Sequence, residues 1–564
     1  MPLAPSPSAD GVAVARRPRA RRSLALLLTA LAVLVSTVGL AGPARSYEWN
    51  VMCTGYDACP SAGYSNAGYP AHATTSYWSQ STGHNCTNYV AYRLVSNGLA
   101  NKRPSALSGN AYRWGSAFSS TTDDAPAVGS VAWWGQSFSS TGHIAYVEKV
   151  VSADQIIVSE DNWGGDFRWR SITRSGGYWP AGFIHLMDRG PKVAAPATYR
   201  TYRPVSPARI VDTRSALGAT GPLAAGSDTS ILVNGKAGLP RTAVGAVVVN
   251  VTAVRPRAAG WLLAYPSGSS PAASSTLNFD AGDVVANQAV VGVGTDGRIR
   301  LKASQTTDAL VDIVGWYPAF GNLATTTPSR LLDTRYGMGA PTGRLEPGGR
   351  IDLAVTGSSV VPPSGVDSVL LNVTVARPTK DGNLAVWPTG SAAPNSSSLN
   401  FSTGTSISGL VVAKVGSNGR VSIRTSAATD VVADVVGWYP SGADYRGLTP
   451  ARLLDTRSGT GVVSSGPTDA ASVVRLKVTG RGGVPVTGVK AVVLTIVVTA
   501  PQQAGYLTAY PAGSVRPVTS NLNFVAAQTI ANTAVVKPST DGYVDLYVAQ
   551  ATQVIADVQG YLSQ

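Results

Sequence analysis

Two hydrophobic periodicities divide the chain. In Gly83-His-Asn-Cys-Thr-Asn-Tyr-Val-Ala-Tyr-Arg93, Val90 and Leu94 follow Cys86 at helical spacing with Tyr89 beside them, which predicts a helix that starts at Cys86 and packs one stripe on a core. Beyond about residue 205 the pattern changes to short Val-rich runs such as Ala246-Val-Val-Val-Asn-Val-Thr252, separated by Gly, Pro, Ser and Asp with no helical period. That is an all-β pattern. Between these regions, Gly142-His-Ile-Ala-Tyr-Val-Glu-Lys-Val-Val151 reads as a strand, a turn follows at 152–154, and Gln155-Ile-Ile-Val-Ser-Glu-Asp-Asn-Trp163 reads as a second strand. Together they predict an antiparallel hairpin.

The β-patterned region repeats itself. Pro207-Ala-Arg-Ile-Val-Asp-Thr-Arg214 returns as Pro328-Ser-Arg-Leu-Leu-Asp-Thr-Arg335 and Pro450-Ala-Arg-Leu-Leu-Asp-Thr-Arg457. Leu277-Asn-Phe279, Leu399-Asn-Phe401 and Leu522-Asn-Phe524 keep the same register, and the third copy lacks the tryptophan found at 316 and 438. A period near 120 residues with about eight runs per copy suits a sandwich or jelly roll better than a solenoid. The predicted organisation is an α+β domain at 47–187, a Pro/Ala-rich linker at 188–204, and all-β sandwich or jelly-roll-like repeats at 205–319, 320–441 and 442–564.

The first 46 residues stand apart. Arginines at 16, 17, 19, 21 and 22 precede an apolar run over 24–41 and then small residues, the pattern of a cleavable export signal, with Sec and twin-arginine routes both open. No second apolar segment of that length occurs, so no membrane span is expected after cleavage. The formal charge is +14; without residues 1–46 the chain keeps 39 basic against 30 acidic side chains. A basic exported protein is drawn to polyanions such as anionic wall polymers. No Arg/Lys cluster resembles a groove reader, so nucleic acid is not an expected partner. Export also bears on the three cysteines: Cys53 and Cys59, six residues apart, are expected to pair in an oxidising compartment, which leaves Cys86 free. No histidine lies at ligand spacing from the pair, which argues against zinc.

The free cysteine is the candidate nucleophile. At a helix start, unpaired N–H groups and the helix dipole favour the reactive thiolate. The hairpin supplies a base, because its pairing brings Glu160 and Asn162, which share a face, beside His143. His84 reads as lining the cleft, and His72 and His185 as structural.

Asn85-Cys-Thr-Asn-Tyr-Val90, Gly142-His-Ile-Ala-Tyr-Val-Glu148 and Ser159-Glu-Asp-Asn-Trp163 resemble the three signature segments of the CHAP family, the cysteine, histidine-dependent amidohydrolases/peptidases. Ser130 stands where the family commonly has aspartate, and no acidic cluster resembles the calcium loop of some members, so no cofactor is expected. The resemblance implies a papain-like fold for about residues 50–187, with Cys86 attacking an amide carbonyl, His143 shuttling the proton, and Glu160 or Asn162 orienting the imidazole. It also implies peptidoglycan as substrate, cut as an endopeptidase or as an N-acetylmuramoyl-L-alanine amidase. The alternative is a wall-binding protein whose papain-like domain does not cut.

In the repeats, the Asp-Thr-Arg element is expected to be structural, the aspartate pairing with its arginine or capping a turn. Tyr265, Trp387 and Tyr510, each before a proline, are candidates for stacking on sugar rings; a core aromatic beside a turn is the competing reading.

Overall fold

The structure, a computed structural model, describes residues 49–563 except 108, 163, 164, 197 and 198; the predicted export signal lies outside the described residues. In the N-terminal domain the strands are β1 (Trp49–Thr54), β2 (Thr122–Asp123), β3 (Val131–Trp134), β4 (His143–Ser152), β5 (Gln155–Asp161), β6 (Phe167–Thr173) and β7 (Gly182–Ile184). They form one antiparallel sheet in the order β1-β6-β5-β4-β3-β7-β2. A helical turn, α1 (Ala58–Ser61), follows β1, and the helix predicted from the Cys86 stripe is present as α2 (Cys86–Ser96). It begins at Cys86 because the Asn85 side chain accepts from the backbone of Thr87 at 2.9 Å and of Asn88 at 3.0 Å, satisfying two of the four otherwise unpaired N–H groups. Tyr89, Val90 and Leu94 then face the core.

The predicted hairpin is β4–β5, with one irregularity that matters. Val147 pairs with Val158 and Lys149 with Ile157, so Glu148 is an extra residue on its strand. Glu148 continues the helix-facing side of β4 after Ile144 and Tyr146. There it meets Arg93 of α2, which donates from Nη2 at 3.1 Å and also from Nη1. Arg93 also donates to the Tyr89 hydroxyl at 2.8 Å, stacks 3.8 Å from the Tyr146 ring centroid, and shares Glu148 with the Ser159 hydroxyl at 2.6 Å. One buried ion pair thus bolts the helix to both strands of the hairpin. Cys53 and Cys59 are joined in a disulfide between β1 and α1, and Cys86 is free.

The repeat region is all-β, and it is more than a row of sandwiches. Each repeat supplies two four-stranded antiparallel sheets whose facing side chains make one hydrophobic cluster. The resulting six sheets are set in a propeller-like ring. Strands Val284–Gly292, Ile407–Lys414 and Ile530–Val536, one from each repeat, touch one another in all three pairings. Each short Leu-Asn-Phe strand meets the next repeat, and that of the third repeat meets the first, which closes the cycle. Ala246 and Val248, Leu370, Leu410 and Val412, and Ala491 and Val493 share one buried cluster across the repeats. Buried amides tie the seams: Asn287 Nδ2 donates to Asn372 Oδ1 at 3.2 Å, and Gln288 Oε1 accepts from Val535 N at 3.0 Å. The third copy's departure also has a use, since Gln559, placed where the other copies have Val314 and Val436, accepts from Val412 N at 3.3 Å.

The Asp-Thr-Arg elements are structural in all three copies. Asp212 accepts from Arg214 Nε at 2.9 Å and from its backbone N at 3.1 Å, and Asp333–Arg335 and Asp455–Arg457 do the same. The Pro/Ala-rich stretch is tied down along the N-terminal domain: Val193 N donates to Pro126 O at 2.9 Å, Lys192 pairs with Asp123 at 2.7 Å, and Arg200 Nε donates to Asp124 at 3.0 Å.

Removing one partner of a buried pair leaves the other charge uncompensated. Arg93→Leu is therefore expected to cost about 3–5 kcal/mol, read as a lower urea midpoint for the N-terminal transition, whereas an unchanged midpoint would show that Glu148 finds another partner.

Candidate active site

Three segments far apart in sequence converge at the end of α2. Cys86 stands at the first position of that helix, half-buried and unpaired with any other cysteine. His143 opens β4 and is buried; its Nε2 lies 2.7 Å from Glu160 Oε2 of β5. Cys86 is near enough to the imidazole to favour its charged form. Sequence reasoning left Glu160 and Asn162 as alternative partners for the ring. Glu160 touches it, and Asn162 Nδ2 instead donates to the second oxygen of Glu160 at 3.3 Å. The same oxygen accepts from Arg170 Nε of β6. Arg170 was not legible in the sequence, because it reaches Glu160 diagonally from a strand that no motif marks.

The electrostatics follow from this chain of contacts. Burial opposes a charge on His143, but the Glu160 carboxylate, its hydrogen bond to the ring and the nearby Cys86 outweigh it, so the imidazole is held above its ordinary range. Burial likewise works against the Glu160 carboxylate, yet His143 and Arg170 hold its pKa below the usual carboxylate range. Such a histidine can keep a proton taken from Cys86. Trp134 and Phe138 enclose the ring, with centroids at 5.4 Å and 5.5 Å.

A second histidine flanks the cysteine. His84 Nδ1 lies 2.6 Å from the buried Asp161 carboxylate, its ring stacks on Tyr56 at 4.9 Å, and the Tyr56 hydroxyl donates to the same carboxylate at 2.7 Å. The backbone of Asn85, the residue that caps the helix, also favours the charged Asp161 carboxylate. Thr87 N and Asn88 N are taken by the Asn85 side chain and Tyr89 N by its carbonyl. Among the described residues, no backbone hydrogen bond uses the N–H of Cys86, leaving that donor for an incoming oxygen. His185 is bound by Asp123 and Asp188 at 2.9 Å and 2.7 Å, and His72 packs against Tyr92 at the surface.

The proposed sugar-stacking aromatics are corrected by their burial. Tyr265, Trp387 and Tyr510 are 2%, 1% and 6% exposed, and the Tyr265 hydroxyl and the Trp387 indole N–H are bonded to Asp228 and to Ser391 O. Each lies on a strand that runs into the sheet, where an aromatic packs more area inside than on the surface. Tyr69, Tyr77 and Trp78 are core residues as well.

A CHAP domain is found at residues 75–162. The match holds Cys86, His143, Glu160 and Asn162, and its boundary falls on the last of them. No curated protein matches the chain. Among solved structures, the triple-jelly-roll turret protein of an archaeal virus covers 64% of this chain and 92% of its own at 8% identity with a TM-score of 0.15. The tandem CBM22 domain from Paenibacillus barcinonensis Xyn10C covers 43% of this chain and 100% of its own at 11% identity, also with a TM-score of 0.15. Neither score supports an argument about fold.

The buried pair makes stability depend on pH. A histidine with a raised folded pKa stabilises below its ordinary value of 6.5 and loses that contribution as pH rises through the folded value. A glutamate with a lowered one stabilises above 4.5 and loses its contribution as pH falls through the folded value. The stability gap between the wild type and Glu160→Gln is thus expected to be widest between pH 4.5 and 6.5 and to narrow on both sides, with an Arg170 share persisting in alkali. Urea unfolding across that range checks it; a gap that grows toward alkali would contradict the assigned pair.

Proposed function

We propose that this protein is an exported cysteine hydrolase that cleaves amide bonds of bacterial peptidoglycan, through an N-terminal domain of papain-like character. The observation that carries the reading is the contact chain Cys86–His143–Glu160, assembled from three separate segments inside a CHAP domain. CHAP domains suggest a peptidoglycan-hydrolase-like amidase or peptidase. His143 takes the thiol proton as Cys86 attacks the amide carbon, and the oxyanion that forms is met by the Cys86 backbone N–H at the helix start. The tetrahedral adduct collapses with the C–N bond breaking, His143 gives its proton to the leaving amine, and a thioester remains. Water then attacks the thioester with His143 as base, releasing the carboxylate and restoring the thiol. Glu160, itself held by Arg170 and Asn162, keeps the imidazole in one orientation throughout.

The reading places the enzyme outside the cell, because residues 1–46 have the pattern of an export signal. Its excess of basic side chains suits a surface rich in anionic wall polymers. The β ring, fused to the same compact body as the N-terminal domain, would carry that surface along with the site.

Incubation of the full chain with purified sacculi, followed by mass spectrometry of the soluble fragments, tests the proposal. New amines without new reducing ends are expected, and their identity separates cleavage within the peptide from cleavage at the sugar. Cys86→Ala should lower fragment release at least about 10³-fold with the fold unchanged. Equal release by the Ala variant, or reducing ends in place of amines, would remove the cysteine-hydrolase reading and leave wall binding.

A further inference from the structure

The loop that covers His143 is anchored outside its own domain. Residues 135–142 connect β3 to β4 and close on themselves through Phe138 N to Gly135 O at 3.1 Å and Gly142 N to Ser139 O at 2.9 Å. Their C-terminal end is held by Tyr112 N donating to Thr141 O at 3.1 Å. Their N-terminal half is held from the first β repeat, where Ser137 N donates to Thr295 O at 2.9 Å. The two backbones touch: a Cβ on Gly135 would lie 2.6 Å from Thr295 O.

A second anchor joins the same wall. Thr242 Oγ1 donates to Trp179 O at 2.8 Å and approaches Gly177 O at 3.3 Å. Tyr178, between them, meets Phe138 edge-on at 6.3 Å, accepts from Trp134 Nε1 at 2.8 Å through its carbonyl, and lies 6.0 Å from the Arg241 guanidinium. Trp134, Phe138 and Tyr178 are thus an aromatic wall beside His143, two of them in contact with its ring, and all three are tied to repeat 1 through Arg241, Thr242 and Thr295. A wall held from both sides keeps water from the imidazole and fixes its angle, and misplacement of about 1 Å costs catalysis heavily.

We infer that repeat 1 is a positioning element of the active site, with Thr242 and the Thr295 backbone setting the aromatic wall that orients and desolvates His143. The inference rests on the reading of His143 as the base for Cys86. It makes the β ring part of the working enzyme as well as its carrier.

The groups that face His143 are Cys86 from α2 and Glu160 from β5, with Arg170 of β6 behind it; the wall brings the Tyr178 phenol and, 6.0 Å from its ring, the Arg241 guanidinium. Loosening the wall should therefore wet this set. The test uses the full chain with Thr242→Val, Thr242→Ser and Gly135→Ala. The readouts are kcat and KM on a soluble muropeptide, the pH profile of Cys86 alkylation by iodoacetamide, and the thermal midpoint. Thr242→Val should lower kcat about tenfold with KM within about twofold of wild type. It should also move the alkylation profile by at least about half a pH unit, and Thr242→Ser should restore both. Gly135→Ala, which wedges the seam from the other side, should act in the same direction. Folded Thr242→Val and Gly135→Ala proteins with wild-type kcat and an unmoved alkylation profile would overturn the inference while leaving the hydrolase reading intact. A moved profile in a chain that cleaves no muropeptide would uphold the positioning and remove the substrate.

Discussion

The buried ion pair between Arg93 and Glu148 is the constraint on which the site depends. Cys86 rides on α2, while His143 and Glu160 ride on the β4–β5 hairpin, so the site needs the apolar packing between the two elements fixed at one distance. Arg93 and Glu148 supply that fix, joined by the hydroxyls of Tyr89 and Ser159 in one network. A buried ion pair is a poor source of net stability, since desolvation offsets much of its attraction. Its value here is geometric: it accepts one position of the helix and penalises the others. Glu148 shares the helix-facing side of β4 with Ile144 and Tyr146, while Ala145 and Val147 face the other side.

The same logic of polar groups that accept a single partner recurs in the β ring. Three repeats with greasy sheets could pack in several registers, but Asn250, Asn287, Gln288, Asn372, Asn532 and Gln559 are buried and bonded across or along the seams. A slipped register would leave those amides unpaired at roughly 1–3 kcal/mol each. Closure gives the first and third repeats a second neighbour each. Repeat 1 then presents Thr242 and Thr295 on a frame rigid enough to hold the wall beside His143, which a repeat on a free linker could not do.

Local patterns made part of this legible and non-local ones hid the rest. The helical spacing of Val90 and Leu94, the turn at 152–154 and the alternation that pairs Glu160 with Asn162 all lie within one element or one hairpin, and each appears where the periodicity puts it. Glu160 could not be separated from Asn162 because the bulge shifts the pairing by one residue and no composition signal marks a bulge. Arg170 and Asp161 escaped as site residues because their partners are remote, at Glu160 and at His84. The ring escaped because a 120-residue period announces repetition and says nothing of how copies meet. Tyr265, Trp387 and Tyr510 misled because an aromatic before a proline reads the same whether its ring points inward or out.

The central claim is that Cys86 forms a covalent bond to the acyl half of an amide. Acid quenching of the full chain during turnover of a soluble muropeptide, followed by peptide mapping, tests it most directly. The account predicts an adduct on the peptide that contains Cys86, with the mass of the substrate less its leaving amine, lost when His143 is replaced by alanine. Steady release of amine with Cys86 unmodified at every quench time, or undiminished release after Cys86 has been alkylated, would contradict it.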